Sequence, residues 1–138
     1  MQITVVDGQG GGIGKAIIER LRGELGQEIE ILALGTNALA TSLMLKAGAN
    51  EGATGENAIG YNAPKSDIII GSVAIIAANS MRGELTPLMA KAIAESPAKK
   101  ILIPLNRCQI YVVGVNNEPL PHYVSYVVDF VKNIIRGE

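Results

Sequence analysis

A glycine-rich loop lies between an apolar strand and a helix near the start of this chain. The segment from Asp7 to Lys15 reads DGQGGGIGK, with five glycines within seven positions. Residues 3–6 before it form a β-branched run that predicts a buried strand. Apolar residues recur at helical spacing from Ile13 to Leu25, which predicts an amphipathic helix. Glycines let a backbone approach a ligand closely, and the N–H groups of a helix N-terminus attract anions, so this order of elements is typical of a phosphate-binding turn.

Beyond the loop, apolar runs and helical stripes alternate along the chain. Further strands are predicted over residues 29–34, 67–71 and 100–105, and Pro104 places the last of them at or near a sheet edge. Residues 50–65 are ambiguous, and residues 73–78 fit either a strand or a helix. Helices are predicted at three places where a capping signal precedes an apolar stripe, namely after Thr36-Asn37, after Thr86-Pro87 and from Pro121.

Residues 110–115 form another apolar run, only four positions after the strand over residues 100–105. A gap that short cannot hold a helical crossover, so we expect these two runs to pair as an antiparallel hairpin. Strands that alternate with helices indicate a mainly parallel sheet covered on both faces. The expected fold is therefore α/β: a Rossmann-like three-layer sandwich with a mainly parallel sheet and a C-terminal antiparallel hairpin, forming one domain over residues 1–138.

Composition narrows the classes of partner. The formal net charge is −1 with no basic stripe, so we expect no nucleic-acid partner. The apolar runs are too short to span a bilayer and the N-terminus lacks a charged leader, so we expect no membrane partner and no signal peptide. The single cysteine fits a reducing compartment, and we expect a cytoplasmic protein.

Three known glycine motifs are candidates for this loop. The dinucleotide fingerprint G-x-G-x-x-G fails because Ile13 stands where its last glycine is needed. The P-loop pattern fails because Gln9 stands at its first glycine and Ala16 replaces the hydroxyl that would hold Mg²⁺. The spacing G-x-x-x-G-I-G fits completely, through Gly8, Gly12, Ile13 and Gly14.

On that spacing the loop resembles the cofactor loop of short-chain dehydrogenases/reductases, over about the first quarter of the chain. The resemblance implies an NAD(P)-type dinucleotide as the ligand. Asp7 departs from that family, which usually has a hydroxyl residue there. After the second strand, Gly35-Thr36-Asn37 stands where an acid would hold the adenosine ribose, so Asn37 becomes the ribose candidate and discrimination between NAD and NADP is expected to be weak. A Tyr-x-x-x-Lys pair, Tyr61 and Lys65, precedes the predicted strand over residues 67–71, and Pro64 interrupts the helix that would hold both side chains on one face, so we do not expect this pair to be catalytic.

Over most of its length the chain is similar to a small bacterial family described as a domain of unknown function. The shared features are the stretch from Asp7 to Gly14, then Asn79-Ser80, then residues 83–87. This resemblance implies a bacterial, cytoplasmic, Rossmann-like protein and supplies no activity.

Candidate ligand-binding residues are those of the loop and of the neighbouring strand ends. Asp7 either contacts the ligand or accepts hydrogen bonds from the loop's own N–H groups, and Lys15 either neutralises a phosphate or lies on a solvated face. His122 and Cys108 lack partners that would indicate a metal site or a nucleophile, and Arg107 follows a strand end. The expected ligand-binding set is Asp7, Gly8, Gln9, Gly10, Gly11, Gly12, Ile13, Gly14, Lys15, Asn37, Gly71, Ser72 and Asn79.

These observations favour a nucleotide-binding protein with an NAD(P)-type dinucleotide as ligand, and they leave catalysis open. Two alternatives remain. One is an enzyme that acts on a phosphorylated small molecule, with Asp7 holding Mg²⁺ and Lys15 holding the phosphate. The other is a structural or assembly subunit in which the glycines form only a tight turn. The apolar content of 48% also predicts a homodimer, formed through residues 110–115 or through the last helix.

Overall fold

The computed structural model describes residues 1–105 and 109–137. Its sheet has the strand order β3-β2-β1-β4-β5, and all four neighbouring pairs are parallel. The strands are β1 Gln2–Asp7, β2 Glu30–Gly35, β3 Glu51–Thr54, β4 Ile68–Ser72 and β5 Lys99–Ile103.

Helices cover both faces of this sheet, as expected for a three-layer sandwich. The helices are α1 Gly12–Leu25, α2 Ala38–Ala47, α3 Glu56–Asn62, α4 Pro87–Glu95 and α5 Leu120–Ile135. One apolar core lies under α1, α2 and α5 and contains Ile17 and Val128, both fully buried. The other core lies under α3 and α4 and contains Ile59 and Ile93. The predicted α/β, Rossmann-like architecture is confirmed.

The helices begin where local chemistry predicts. The Asn37 side chain accepts a hydrogen bond from the Ala40 N–H at the start of α2. The Thr86 hydroxyl accepts one from the Met89 N–H, and Pro87 occupies the first turn of α4, where its missing N–H costs nothing. The ambiguous residues 50–65 divide into β3 and α3, and Val73–Ile76 forms a short 3₁₀ turn.

The predicted C-terminal antiparallel hairpin is wrong. Residues 110–115 form no strand, and β5 is the edge strand of a sheet in which each described pair is parallel. Valine and tyrosine favour strands only where one side of the strand is covered. Here α5 covers that end of the sheet instead, through Val124 and Val127, and Val113 is 98% exposed. The apolar run therefore has no core to pack against.

The strand order determines where a ligand can enter. From β1 the chain crosses to β2 on one side, and β4 lies on the other side of β1. The loops that follow β1 and β4 therefore diverge at the carboxyl ends of these strands. In open α/β sheets this divergence opens the crevice in which ligands bind.

Candidate functional site

A cavity of about 370 Å³ lies at this crevice. The glycine loop forms one wall, and residues that follow β4 and β5 form the others. Its lining is Asp7, Gly8, Gln9, Gly10, Gly11, Gly12, Ile13, Ser72, Ala74, Met81, Arg82, Leu105 and Leu120. The structure thus brings together most of the predicted site residues.

Asp7 closes the loop on itself. The side chain is buried, with 5% of its surface exposed. Its Oδ1 accepts a hydrogen bond from the Gly8 N–H at 2.8 Å, and its Oδ2 accepts one from the Gly14 N–H at 2.6 Å. A buried carboxylate is tolerated when such donors replace its water. The interpretation of Asp7 as an acceptor for the loop's own N–H groups is confirmed.

Three of the five loop glycines are required by the protein itself. A Cβ on Gly14 would lie 2.6 Å from the Met44 sulfur, and one on Gly8 would lie 2.6 Å from the Met81 sulfur. Gly11 has a φ of +75°, which side chains rarely adopt, and a Cβ there would lie 2.9 Å from the Ala40 Cα. These three positions allow the loop to pack against α2 and the residues after β4.

The other two loop glycines, Gly10 and Gly12, face open space. A Cβ built on either would meet no atom within 4 Å. A tight turn that binds nothing therefore accounts for three of the glycines and leaves these two unexplained. Both line the cavity, where a bare Cα allows close approach to the backbone.

Backbone donors in the loop face the same cavity. The N–H groups of Gly8, Gln9, Gly11 and Gly14 are hydrogen-bonded within the protein. Those of Gly10, Gly12 and Ile13 donate to no acceptor among the residues that the structure describes. The first turn of α1 contains no acidic residue. Unsatisfied N–H groups at the N-terminus of a 14-residue helix favour a negatively charged ligand.

Residues 77–85 fold back over the loop as a compact turn, which we call the cover segment. The Asn79 N–H donates to the Leu85 carbonyl at 2.7 Å, and the Ser80 hydroxyl donates to the Ala74 carbonyl at 2.6 Å. Met81 and Arg82 have φ values of 56° and 57°, and non-glycine residues take this conformation only where the surroundings impose it. Both residues consequently line the cavity.

Glu84 attaches the cover segment to the glycine loop and to the end of β2. Its Oε1 accepts from the Thr36 hydroxyl at 2.7 Å, from the Gln9 N–H at 2.8 Å and from the Asn37 amide at 2.9 Å. The hydrogen bond from Thr36, followed by that from Gln9, lowers the pKa of Glu84 below its ordinary value. The carboxylate is therefore held ionised. The sequence predicts that residues 72–84 cover the far end of the ligand, but it does not single out Glu84, Met81 or Arg82, because the partners of Glu84 lie far away in the chain.

The side chain of Asn37 already forms three hydrogen bonds within the protein. Its Oδ1 caps α2, and its Nδ2 donates to Glu84 and to the Gln9 carbonyl at 3.0 Å. The predicted contact with a ribose would therefore compete with three hydrogen bonds. Asn37 does not line the cavity described above.

Four other predicted residues lie outside the cavity lining, namely Gly14, Lys15, Gly71 and Asn79. Lys15 is exposed and lies 3.9 Å from Glu19, as a residue on a solvated face does. A Cβ on Gly71 would lie 2.8 Å from the Val6 carbonyl oxygen, so this glycine lets β4 pack closely beside β1. Asn79 helps to close the cover segment, while Ser72 does line the cavity.

The remaining candidates lie elsewhere. His122 is exposed at the start of α5, 3.7 Å from Glu118. The Lys65 ammonium lies 3.3 Å from the centroid of the Tyr61 ring, and neither residue lines the cavity. Arg107 and Cys108 lie outside the described residues. Within residues 1–105 and 109–137, no group of three or more His, Cys, Asp or Glu side chains is arranged to hold a metal, and no helix is long and apolar enough to cross a membrane.

Comparison with known proteins identifies the family. A family model described as a domain of unknown function (DUF3842) matches residues 2–136. The chain belongs to this family. No curated protein and no solved structure matched it. The match runs from β1 to the end of α5, so the glycine loop and the cover segment are both parts of the DUF3842 domain.

The two kinds of glycine in this DUF3842 loop should respond differently to an added methyl group. We expect Gly14→Ala to lower the free energy of unfolding by about 1–3 kcal/mol, because the new Cβ overlaps the buried Met44 side chain. We expect Gly12→Ala, which meets open space, to leave stability unchanged or raise it by up to about 1 kcal/mol. Urea denaturation of both variants measures the difference. Equal losses in the two variants would contradict the assignment.

The stability of the domain should depend on the ionisation of Glu84. Because the folded-state pKa lies below the ordinary value, this carboxylate stabilises the fold above the unfolded-state pKa, and the contribution is lost as the pH falls through the folded-state pKa. We expect the unfolding free energy of wild type to fall more steeply between about pH 5 and pH 3 than that of Glu84→Gln. Parallel slopes in urea titrations across this range would show that Glu84 is not held by these donors.

Proposed function

We propose that this domain binds a nucleotide through its phosphate groups, and that an NAD(P)-type dinucleotide is the ligand. The observation that carries the proposal is the pair Gly10 and Gly12. Both residues line the cavity at the carboxyl ends of β1 and β4. A Cβ at either position would meet no atom of the protein within 4 Å, so packing does not require glycine there. Pyrophosphate bound against a glycine-rich turn and a helix N-terminus makes use of this arrangement.

The donors present fit a pyrophosphate group. The N–H groups of Gly10, Gly12 and Ile13 supply hydrogen bonds from one side. Arg82 also lines the cavity and forms no ion pair with any described residue, so its guanidinium is available to a phosphate. The negative charge of Asp7 is compensated within the loop, because its two carboxylate oxygens accept hydrogen bonds from the N–H groups of Gly8 and Gly14.

Apolar wall residues fit the remainder of the ligand. Ala74, Leu105 and Leu120 line the cavity on the side away from β2. Ligand pockets combine such apolar surface with a few polar groups that set orientation, and volumes from about 300 Å³ upward are usual. An aromatic ring attached beyond the phosphates would contact these three side chains.

The cavity wall supports binding better than independent catalysis. Among its described residues, Asp7 and Arg82 are the titratable side chains. Asp7 already accepts hydrogen bonds on both oxygens, which also disfavours its use as the Mg²⁺ ligand of a phosphate-processing enzyme. We therefore propose a binding, sensing or subunit role, in the bacterial cytoplasm that the sequence resemblance implies.

Substitution of Gly12 should test the ligand directly. We expect Gly12→Val to abolish nucleotide binding without unfolding the domain, because the side chain enters open space that the phosphates would occupy. Isothermal titration with NAD, NADP, ATP and FAD measures this. Gly60→Val is the matched control, since Gly60 is also helical and also faces open space, but on α3. The proposal fails if wild type binds none of the four, or if Gly12→Val binds as wild type does.

We also propose that the chain forms a homodimer through the face beside β5. Tyr126 and Phe130 of α5 are 48% and 59% exposed, and they line one groove with Val115, Ile103 and Pro104. An apolar surface of this kind next to an unpaired edge strand favours contact with a second chain.

Light scattering at high micromolar concentration should therefore report twice the monomer mass. Phe130→Lys should shift the protein toward the monomer, because it places a charge in the apolar groove. Leu88→Lys, at an equally exposed position on α4, is the control and should leave the mass unchanged. A wild-type particle of monomer mass would exclude the dimer.

A further inference from the structure

We propose that Glu84 binds the adenosine ribose and makes the site select NAD over NADP. The inference rests on the proposed function, because it assigns one half of the dinucleotide to a residue outside the glycine loop. In nucleotide-binding folds of this strand order, the carboxylate that binds the ribose hydroxyls follows the second strand. This chain has no acid there, and its geometry explains why.

The end of β2 excludes a side chain. Gly35 is its last residue, and a Cβ on Gly35 would overlap the Thr41 hydroxyl and lie 2.8 Å from the Thr41 nitrogen. No acid fits at that position. The next two residues are also engaged, since the Thr36 hydroxyl donates to Glu84 and the Asn37 side chain caps α2.

Glu84 reaches the same place from a distant part of the chain. It lies 75 positions from Gln9 and 48 from Thr36, yet its Oε1 accepts hydrogen bonds from both. The carboxylate therefore lies between the glycine loop and the end of β2, outside the cavity lining itself but hydrogen-bonded to the lining residue Gln9. This is the position of the ribose-binding acid in the related topology.

One oxygen of Glu84 remains available for a ligand. Oε1 accepts all three hydrogen bonds that attach the carboxylate to the protein. Oε2 accepts none from any residue that the structure describes. Because Oε1 is held by three donors, Oε2 has a defined position at no cost to the ligand, and it can accept a hydrogen bond from a ribose hydroxyl.

The same charge discriminates between the two dinucleotides. A ribose hydroxyl donates to a carboxylate, whereas the 2′-phosphate of NADP is itself an anion and is repelled. Arg82 does not relieve that repulsion in our assignment, because its guanidinium lines the cavity and is assigned to the pyrophosphate. The sequence alone predicted weak discrimination, since only the residues next to β2 could be considered.

Isothermal titration of the full chain with NAD and with NADP tests the assignment. We expect wild type to bind NAD at least about tenfold more tightly than NADP, the equivalent of one charge-assisted hydrogen bond. Glu84→Gln should weaken NAD by about tenfold and bring the two affinities within about threefold of each other. Glu84→Asp, which keeps the charge, should retain part of the preference. Glu95→Gln removes the same charge from an exposed position on α4 and should change neither affinity.

The possible failures are distinguishable. If Glu84 only attaches the cover segment, Glu84→Gln will weaken NAD and NADP equally, or wild type will bind both alike, and the inference is overturned. If, in that case, wild type binds a nucleotide and Gly12→Val does not, the proposed function still stands. If wild type binds neither dinucleotide, both the proposed function and this inference fail.

Discussion

The hydrogen bonds from Gly8 and Gly14 to the Asp7 carboxylate are the contacts on which the site depends. Asp7 is the last residue of β1, and Gly14 lies in the first turn of α1. The side chain thus joins the end of a buried strand to the start of a helix across the whole loop. A buried carboxylate without donors would be costly, so the loop cannot open without a large loss of free energy. This closure aims the N-terminus of α1 at the cavity.

A second carboxylate, that of Glu84, also accepts a hydrogen bond from a backbone N–H group of the loop. Asp7 takes the N–H groups of Gly8 and Gly14, and Glu84 takes that of Gln9. The donors that remain belong to Gly10, Gly12 and Ile13, and all three residues line the cavity. The two acids therefore leave the N–H groups of Gly10, Gly12 and Ile13 as the loop's unpaired donors among the described residues. Their negative charges lie on the strand side and the β2 side of these donors.

Local sequence patterns predicted those features of the fold that depend on interactions between residues close together in the chain. The strands β1, β2, β4 and β5, the cap of α2 by Asn37 and the Thr86-Pro87 start of α4 follow from the burial pattern and from side-chain hydrogen bonds within a few residues, whereas β3 lies in the stretch that was ambiguous from sequence. The hairpin over residues 110–115 was predicted from strand propensity, which depends on whether a sheet face is available. In the fold, α5 occupies that face. Glu84 was missed for a related reason, since its partners are 47 to 75 positions away and no local pattern reports them.

The glycine motif of the loop indicates that something approaches the backbone closely, but only the structure shows what approaches each glycine. From the sequence, the five glycines could be needed for contacts within the protein or for contacts with a ligand. The structure assigns three of them to approaches within the protein, against Met81, Ala40 and Met44. The remaining two each increase the conformational entropy of the unfolded chain, at a cost of about 0.5–1 kcal/mol relative to alanine. Gly10 and Gly12 offset none of that cost by close packing, and this is why the ligand that we propose is placed against them. A ligand that bound only the folded domain would offset the cost by mass action, in proportion to the logarithm of its concentration over its dissociation constant.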